Sequence, residues 1–372
     1  MRIDLSGLRT GPAQVWGALR LVPLLRDEPV ESLRLHGVAY EGAWRSQVKL
    51  TNTTSYYSYV PHGFVADWNP ESGDGAQSAA YGTQIVDKST TVRGMPMPVH
   101  RRMAQKLGKR RVRFLPLHLA MEGYLALHFD GPPVAWREWS DRFVQHGLSP
   151  RSEASYNGAA VPGLRDALRV FEIHEGQSGV LVYAADALAA AFVVPHPDDY
   201  RELHPTLVLD MYGELVYQYA LMMPAVRDFH TRLEDDTIIS LADLRAAARA
   251  QSRSWAEFHD TVMANALLSH DYTAERAYQM GDFDLVRFRP AFKPGDENHI
   301  GEAITDGAGR IAYLKTFRLS EAQIRRGYLL ELLASNGWRL SAAAASIGTT
   351  AEDLRGRIRA AGFEMMLREK AK

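Results

Sequence analysis

The sequence from residue 320 to residue 367 reads SEAQIRRGYLLELLASNGWRLSAAAASIGTTAEDLRGRIRAAGFEMML, and its pattern predicts three consecutive helices with two short breaks. The breaks fall at Gly337 and Gly348, because glycine tolerates the left-handed backbone that ends a helix. Thr350 is placed to cap the third helix, with Asp353 three residues later as its capping partner. This spacing is typical of a helix-turn-helix.

Apolar residues in this stretch recur at helical spacing and predict which faces are buried. In the first helix, Ile324, Tyr328 and Leu332 share one face. In the third helix, Leu354 and Ile358 form the inward stripe. The second helix is short, and its small alanine side chains let a neighbouring helix approach closely.

The segment resembles the Fis-type C-terminal helix-turn-helix of bacterial regulators. The resemblance rests on these residues: Asn336, Gly337, Trp338, Ala343, Ala344, Ile347, Gly348, Leu354, Ile358, Gly362 and Phe363. It implies that the third helix is a recognition helix. We therefore predict DNA contacts from Thr350, Arg355, Gly356 and Arg359, in which the two arginines meet guanine edges or phosphates.

The charge of the C-terminal segment agrees only mildly with DNA binding. Residues 318–372 contain ten Lys or Arg and six Asp or Glu, which gives a net charge of +4. The alternative is that the three helices serve for dimerisation or for docking to a protein partner.

A second basic run lies earlier in the chain, between His100 and Arg113, and includes Arg110 and Arg111. Guanidinium groups match the geometry of phosphates, so Arg110 and Arg111 are further candidates for DNA contact. The alternative is a solvated loop between strands.

The composition of the chain limits its class. With 372 residues, the chain is expected to form one large body, residues 1–317, and a C-terminal module, residues 318–372. The net charge is −1 and cysteine is absent, which excludes disulfides and thiolate metal sites. No apolar run approaches the roughly 18 residues needed to span a bilayer, so we expect a cytoplasmic protein with no membrane contact.

The body is predicted to be of the α+β class, with a β-rich N-terminal half and a helical second half. Residues 179–183 and 189–194 read as two buried strands joined by a turn. A later helix is predicted to begin at Ser240, with Asp243 as its capping partner. A β-hairpin around residues 304–314 leads directly into the C-terminal module.

The body also resembles the ARPP-type domains of bacteria, which are named for gene neighbourhoods with ADP-ribosylglycohydrolase and rhodanese-phosphatase superfamily members. The matching pieces are Gly11-Pro12-Ala13-Gln14, Val22-Pro23-Leu24, residues 171–183 around Gly176-Gln177-Ser178-Gly179, His196 to Tyr200, His204, and Asp210 to Glu214. The resemblance implies a role in a bacterial stress or conflict locus. It assigns no catalytic residue.

One polar cluster has the residue types of a metal site, namely His196, His204, Asp210 and Glu214. Imidazole and carboxylate groups bind zinc and other first-row divalent ions. The spacing gives no support, because His204 and Asp210 are six residues apart and fall on different faces of a helix, and no two histidines are four residues apart. The alternative is a capped helix N-terminus whose acidic residues complement the helix dipole.

The leading interpretation is a DNA-associated regulatory protein that binds DNA as a dimer and has a ligand-sensing or partner-sensing body. Its expected partners are DNA and a second copy of the chain, and the sequence indicates no cofactor, since nucleotide and hydrolase motifs are missing. Two alternatives remain. One is a metal-dependent hydrolase acting on a phosphorylated or ADP-ribosyl substrate, and the other is a scaffold that binds another protein.

Overall fold

The computed structural model describes residues 1–35, 171–207, 224–226, 233–362 and 364–367, together with the backbone of short strands between residues 47 and 113. The strands are β1 (Leu8–Thr10), β2 (Gln14–Trp16), β3 (Leu19–Arg26), β4 (Leu33–Leu35), β5 (Gln47–Lys49), β6 (Thr54–Tyr57), β7 (Val65–Trp68), β8 (Ala76–Ser78), β9 (Gln84–Asp87), β10 (Gln105–Gly108), β11 (Arg111–Arg113), β12 (Gln177–Ala184), β13 (Ala187–Val193), β14 (Thr273–Met280), β15 (Phe283–Arg289), β16 (His299–Asp306) and β17 (Ile311–Arg318).

The α-helices among the described residues are α1 (Pro197–Thr206), α2 (Leu241–Phe258), α3 (Asn265–Leu268), α4 (Glu321–Ser335), α5 (Leu340–Ser346) and α6 (Ala351–Ala360). Single turns of other helix types occur at Asp235–Thr237, His259–Met263 and Glu364–Leu367, of which His259–Met263 is a π-helical turn. No described helix has both the length and the apolar character needed to cross a bilayer.

A nine-stranded antiparallel sheet forms the centre of the fold. Its order is β1-β3-β12-β13-β17-β16-β15-β14, and β2 pairs with β3 beside β1. Three smaller sheets are formed by β4-β7-β8, β5-β6-β9 and β10-β11. The large sheet joins the first strands of the chain to strands that end at Arg318, so the two ends of the body fold together. The α+β class and the β-rich N-terminal half are confirmed.

The central strands are covered on both faces. Every residue of β3 and β12 is buried. On one face, Val22 and Leu181 of these strands pack in a core cluster with Trp255 of α2 and Leu267 of α3. Burial of this apolar surface between the sheet and the two helices is the main stabilising contribution on this side.

Pro23 lies inside β3 although proline has no N–H to donate. Strand β3 pairs with β2 at residues 19–21 and with β1 at residues 24–26, so Pro23 falls in the gap between these two neighbours. Its carbonyl accepts a hydrogen bond from the Gly11 amide at 2.8 Å on this side. In an antiparallel strand the N–H and C=O of one residue point to the same side. The N–H that Pro23 lacks would therefore face this gap, and no hydrogen bond between strands is lost.

Several predicted elements are found where the sequence placed them. The two buried strands are β12 and β13, and their turn holds Ala185 and Asp186 at φ angles of 49° and 62°. The Ser240 side chain accepts from the Asp243 amide and completes a capping box at the start of α2. The second half also contains four strands, β14 to β17, and is less helical than the predicted class implies. The hairpin predicted around residues 304–314 is present as β16 and β17. Strand β14, TAERAYQM, is rich in polar residues and gives no strand periodicity.

The buried face of α4 includes Ile324 as predicted but is rotated away from Tyr328. Ile324, Gly327 and Leu330 are buried, whereas Tyr328 is 39% exposed, so the expectation for Tyr328 was wrong. This rotation of the buried face of α4 has a steric cause. A Cβ atom on Gly327 would lie 2.2 Å from Cε1 of Phe292, so only a glycine allows this approach.

The connection between the body and α4 is short. Strand β17 ends at Arg318, close to the predicted boundary between residues 317 and 318, and Ser320 caps α4. Arg289 of β15 forms an ion pair with Glu331 of α4. Together with the contact at Gly327, this ion pair fixes α4 against the sheet.

His299 is an acid-sensitive group within the core. Its side chain on β16 is fully buried, and neither ring nitrogen has a hydrogen-bond partner among the described residues. Burial, together with the positive charges of Arg318 and His270, lowers the pKa of His299 to about 3. The imidazole is therefore neutral in the folded protein.

We expect Gly327→Ala to lower the free energy of unfolding by about 1–3 kcal/mol, because the new methyl group overlaps the Phe292 ring. The matched control is Gly356→Ala, where an added Cβ meets nothing within 4 Å. That change should raise the free energy by about 0.5–1 kcal/mol, because alanine favours the helix. Urea unfolding measures both, and equal shifts would contradict this packing.

The pH dependence of unfolding tests the buried state of His299. In the unfolded chain His299 takes up a proton below its ordinary pKa of 6.5, but the folded protein resists this until about 3. This group therefore removes about 1.4 kcal/mol of stability per pH unit as the pH falls through that window. His299→Leu should flatten the profile by this amount. Parallel profiles for the two proteins would show that His299 is not buried in the neutral form.

Candidate nucleic-acid interface

The turn between α5 and α6 is four residues long, from Ile347 to Thr350. Gly348 takes a φ of +66°, and the Thr349 amide donates to the Ala344 carbonyl at 3.0 Å. A left-handed residue at this point ends α5 and lets the chain reverse into α6. Both glycine breaks predicted from the sequence are present, since Gly337 also has a positive φ of 61°.

Thr350 caps α6. Its hydroxyl accepts from the Asp353 amide at 3.1 Å and donates to the Asp353 carboxylate at 2.7 Å. Asp353 also places negative charge in the first turn, where it complements the helix dipole. The Thr350 hydroxyl is thus engaged within the protein, although its prediction as a DNA contact stays open.

Helix α6 has one sealed face and one open face. Leu354 and Ile358 are fully buried. Arg355, Gly356 and Arg359 are exposed. Because successive residues turn by about 100°, Gly356 lies opposite the buried stripe, with Arg359 next to it and Arg355 on the flank of the same side. The structure therefore brings these three predicted residues together on one accessible surface, which we call the outer face of α6.

The two arginines of the outer face differ in their partners. Arg355 forms no ion pair with any described residue. Arg359 donates from Nε and Nη2 to Oε1 of Glu364, at 3.1 and 2.9 Å. This exposed pair raises the pKa of Arg359 above its already high ordinary value. Glu352 is also exposed on α6, so the outer face combines positive and negative groups.

The second predicted basic segment is described only in part. Residues 105–108 and 111–113 form the antiparallel hairpin β10–β11, in which Arg111 is the first residue of β11. Arg110 lies outside the described residues. The contribution of Arg110 and Arg111 to DNA contact stays a prediction.

The predicted metal residues have separate environments where they are described. His196 is the N-cap of α1, and its Nδ1 accepts from the Asp198 amide at 3.2 Å. His204 is buried, with Nδ1 placed 3.1 Å from the Tyr200 hydroxyl, and burial lowers its pKa to about 4. Asp210 and Glu214 lie outside the described residues. Among those described, no group of three His, Asp or Glu side chains has the geometry to hold a metal ion.

A buried charged cluster was missed by the sequence analysis. Arg287, Glu302 and Lys315 are neighbours in register across β15, β16 and β17. Glu302 and Lys315 are fully buried, and the Lys315 ammonium lies 6.0 Å from the rings of both Phe192 and Phe317. Burial raises the pKa of Glu302 to about 8 and lowers that of Lys315 to about 7.

This cluster lies on the sheet face opposite the core cluster, because alternate residues of a strand point to opposite faces and Ala303 and Leu314 belong to the core cluster. The burial was not foreseen, since a Glu opposite a Lys on adjacent strands is usually a solvent-exposed pair. Only the long-range sheet order shows that both faces are covered at this point.

A second polar contact was also missed. The Tyr183 hydroxyl lies 2.7 Å from Nε2 of His259, and Nδ1 of His259 lies 2.8 Å from the Asp260 carboxylate. Burial raises the pKa of Tyr183 well above its ordinary value. The contact ties the π-helical turn to β12, and it gives no signal in the sequence because its partners are 76 residues apart.

Comparison with known proteins places the body in a family. The ARPP-2 family model matches residues 3–281, which is more than half of the chain. No curated protein and no solved structure matches the chain. The matched region holds the sequence motifs on which the resemblance of the body was based. The chain therefore belongs to the ARPP-2 family.

Proposed function

We propose that this protein is a DNA-associated regulatory protein and that α4, α5 and α6 form a helix-turn-helix. The observation that carries the proposal is the outer face of α6, which is open to solvent while the inner face is sealed by Leu354 and Ile358. A recognition helix needs both properties, because its inner stripe holds it on the module while its outer residues enter the major groove.

The chemistry of the outer face supports this role. A guanidinium group makes paired hydrogen bonds to a guanine edge or to phosphate oxygens, and Arg355 is exposed for either contact. Gly356 has open space around its Cα, so the helix backbone can approach the duplex closely at this point. Arg359 can exchange Glu364 for a phosphate, because their ion pair is exposed and therefore weak.

The body has a place in this proposal as the sensing part. Helix α4 joins α5 and α6 to the sheet through Gly327 and the Arg289–Glu331 ion pair. A ligand or partner that shifts these contacts would change the position of α6. We expect two copies of the chain on each duplex, because a single module of this size makes few contacts and dimers of this class bind two half-sites.

The double variant Arg355→Ala/Arg359→Ala tests the outer face. We expect it to weaken binding to duplex DNA and to reduce the slope of log K against log salt by about 2, since each lost phosphate contact reduces the slope by about 0.9. Fluorescence anisotropy with labelled duplexes at several salt concentrations measures both quantities.

The matched control is Arg245→Ala/Arg249→Ala, which removes the same charge from exposed positions on α2. It should leave affinity and salt slope close to those of the unchanged protein. In the same assay Glu364→Gln should tighten binding, because it releases Arg359 and removes a negative charge. Equal losses for the two double variants, or no loss for Arg355→Ala/Arg359→Ala, would contradict the proposal.

A further inference from the structure

A cavity of about 510 Å³ lies between α4, α6 and the body. Three arginines line it, Arg325 and Arg326 from α4 and Arg357 from α6. Tyr328 and Leu329 of α4 and Pro294 of the body form part of its apolar wall, with alanines of both helices. A volume of this size is within the range of small-molecule sites, roughly 300–1,000 Å³.

The lining of the cavity is positively charged. It includes three guanidinium groups and no carboxylate. Arg325 is paired with Glu321 at 3.1 Å, in an exposed contact. Arg357 forms no ion pair with any described residue. Asp353, one turn before Arg357, is engaged by the Thr350 hydroxyl at the helix cap. Arg357 therefore gives the cavity a positive charge that no described carboxylate neutralises.

This cavity is distinct from the outer face of α6. Arg357 is two residues from both Arg355 and Arg359, and two residues correspond to about 200° around a helix. Its side chain therefore leaves α6 on nearly the opposite side. A molecule held by Arg357 would not occupy the surface proposed to meet DNA.

We infer that this cavity binds a small amphipathic anion, with a carboxylate or phosphate group on an apolar body. The anionic group pairs with the guanidinium groups, whose planar forks match both oxyanions. The apolar body lies against Leu329 and the neighbouring alanines and loses contact with water. This arrangement accounts for the exposure of Tyr328, because its ring forms a wall of the site instead of part of the core.

Occupation of the cavity would link three parts of the chain. Pro294 belongs to the body, Leu329 to the docked helix α4, and Arg357 to α6. A ligand that contacts all three stabilises the arrangement in which they are close, and so fixes α6 relative to the body. Binding at this site does not depend on the proposed function, whereas an effect on DNA affinity would.

Isothermal titration of the full chain with octanoate and with octyl phosphate tests the site in the absence of DNA. At least one of them should bind saturably at one site per chain, and the comparison shows which head group is preferred. Octanol lacks the charge and inorganic phosphate lacks the apolar body. Each should bind about tenfold more weakly or worse, because a charge-assisted hydrogen bond contributes about 1.5–3 kcal/mol.

Arg357→Gln should weaken binding of the preferred anion about tenfold, and the matched control Arg339→Gln, an exposed arginine outside the cavity, should leave it unchanged. Both variants should unfold at the same temperature as the unchanged protein, since both positions are exposed. The inference is overturned if neither anion binds saturably, if octanol binds as well as octanoate, or if Arg357→Gln binds the anion normally. If neither anion binds the unchanged protein but Arg357→Gln loses affinity for DNA, the cavity is a contact for the DNA backbone and the inference is overturned.

Discussion

The packing of the C-terminal helices on the body depends on the close approach of Gly327 to Phe292. Phe292 is fully buried and takes a positive φ of 48°. Only a glycine lets α4 lie against that ring. The Arg289–Glu331 ion pair joins the same helix to β15. The orientation of α4 decides where α5 and α6 pack, and therefore which face of α6 is left open.

The body that supports this contact is a sheet covered on both faces. Such a sheet buries most of its residues, including the charged groups of Glu302 and Lys315. Ionised groups are costly to bury, so burial raises the pKa of Glu302 and lowers the pKa of Lys315, which favours the neutral form of each. They lie next to Arg287, in register across β15, β16 and β17. The family match ends at residue 281, in the turn between β14 and β15, so the last three strands and the C-terminal helices lie beyond it.

The sequence was informative where local chemistry decides the structure. Ser240 with Asp243, Thr350 with Asp353, and the glycines at 337 and 348 act within one turn of the chain, so the ends of α2, α4, α5 and α6 could be predicted. The buried stripe of α6 was also correct, because one periodic pattern specified it. The failures share a different cause. Tyr328 was placed inward because the helical spacing carries no sign of the constraint that Phe292 imposes on α4. Tyr183 could not be paired with His259 because the two residues are 76 positions apart in the chain.

The proposed interface could be predicted as a list of residues but not as a surface. The exposure of Arg355 and Arg359 depends on tertiary packing, and so does the ion pair of Arg359 with Glu364. The arginine cavity had no sequence signal at all, because it combines residues from Pro294 to Ala361. Spacing within one helix shows which residues share a face, but only the fold shows what that face meets.

The most direct measurement is the chemical accessibility of the outer face of α6 in the presence of DNA. The chain has no cysteine, so Gly356→Cys introduces a single thiol, and Ser252→Cys on α2 provides an exposed reference position. If α6 enters the groove, saturating duplex DNA will slow maleimide labelling at residue 356 severalfold and leave labelling at residue 252 unchanged. Equal labelling rates at residue 356 with and without bound DNA would contradict the assignment of α6 as the helix that meets DNA.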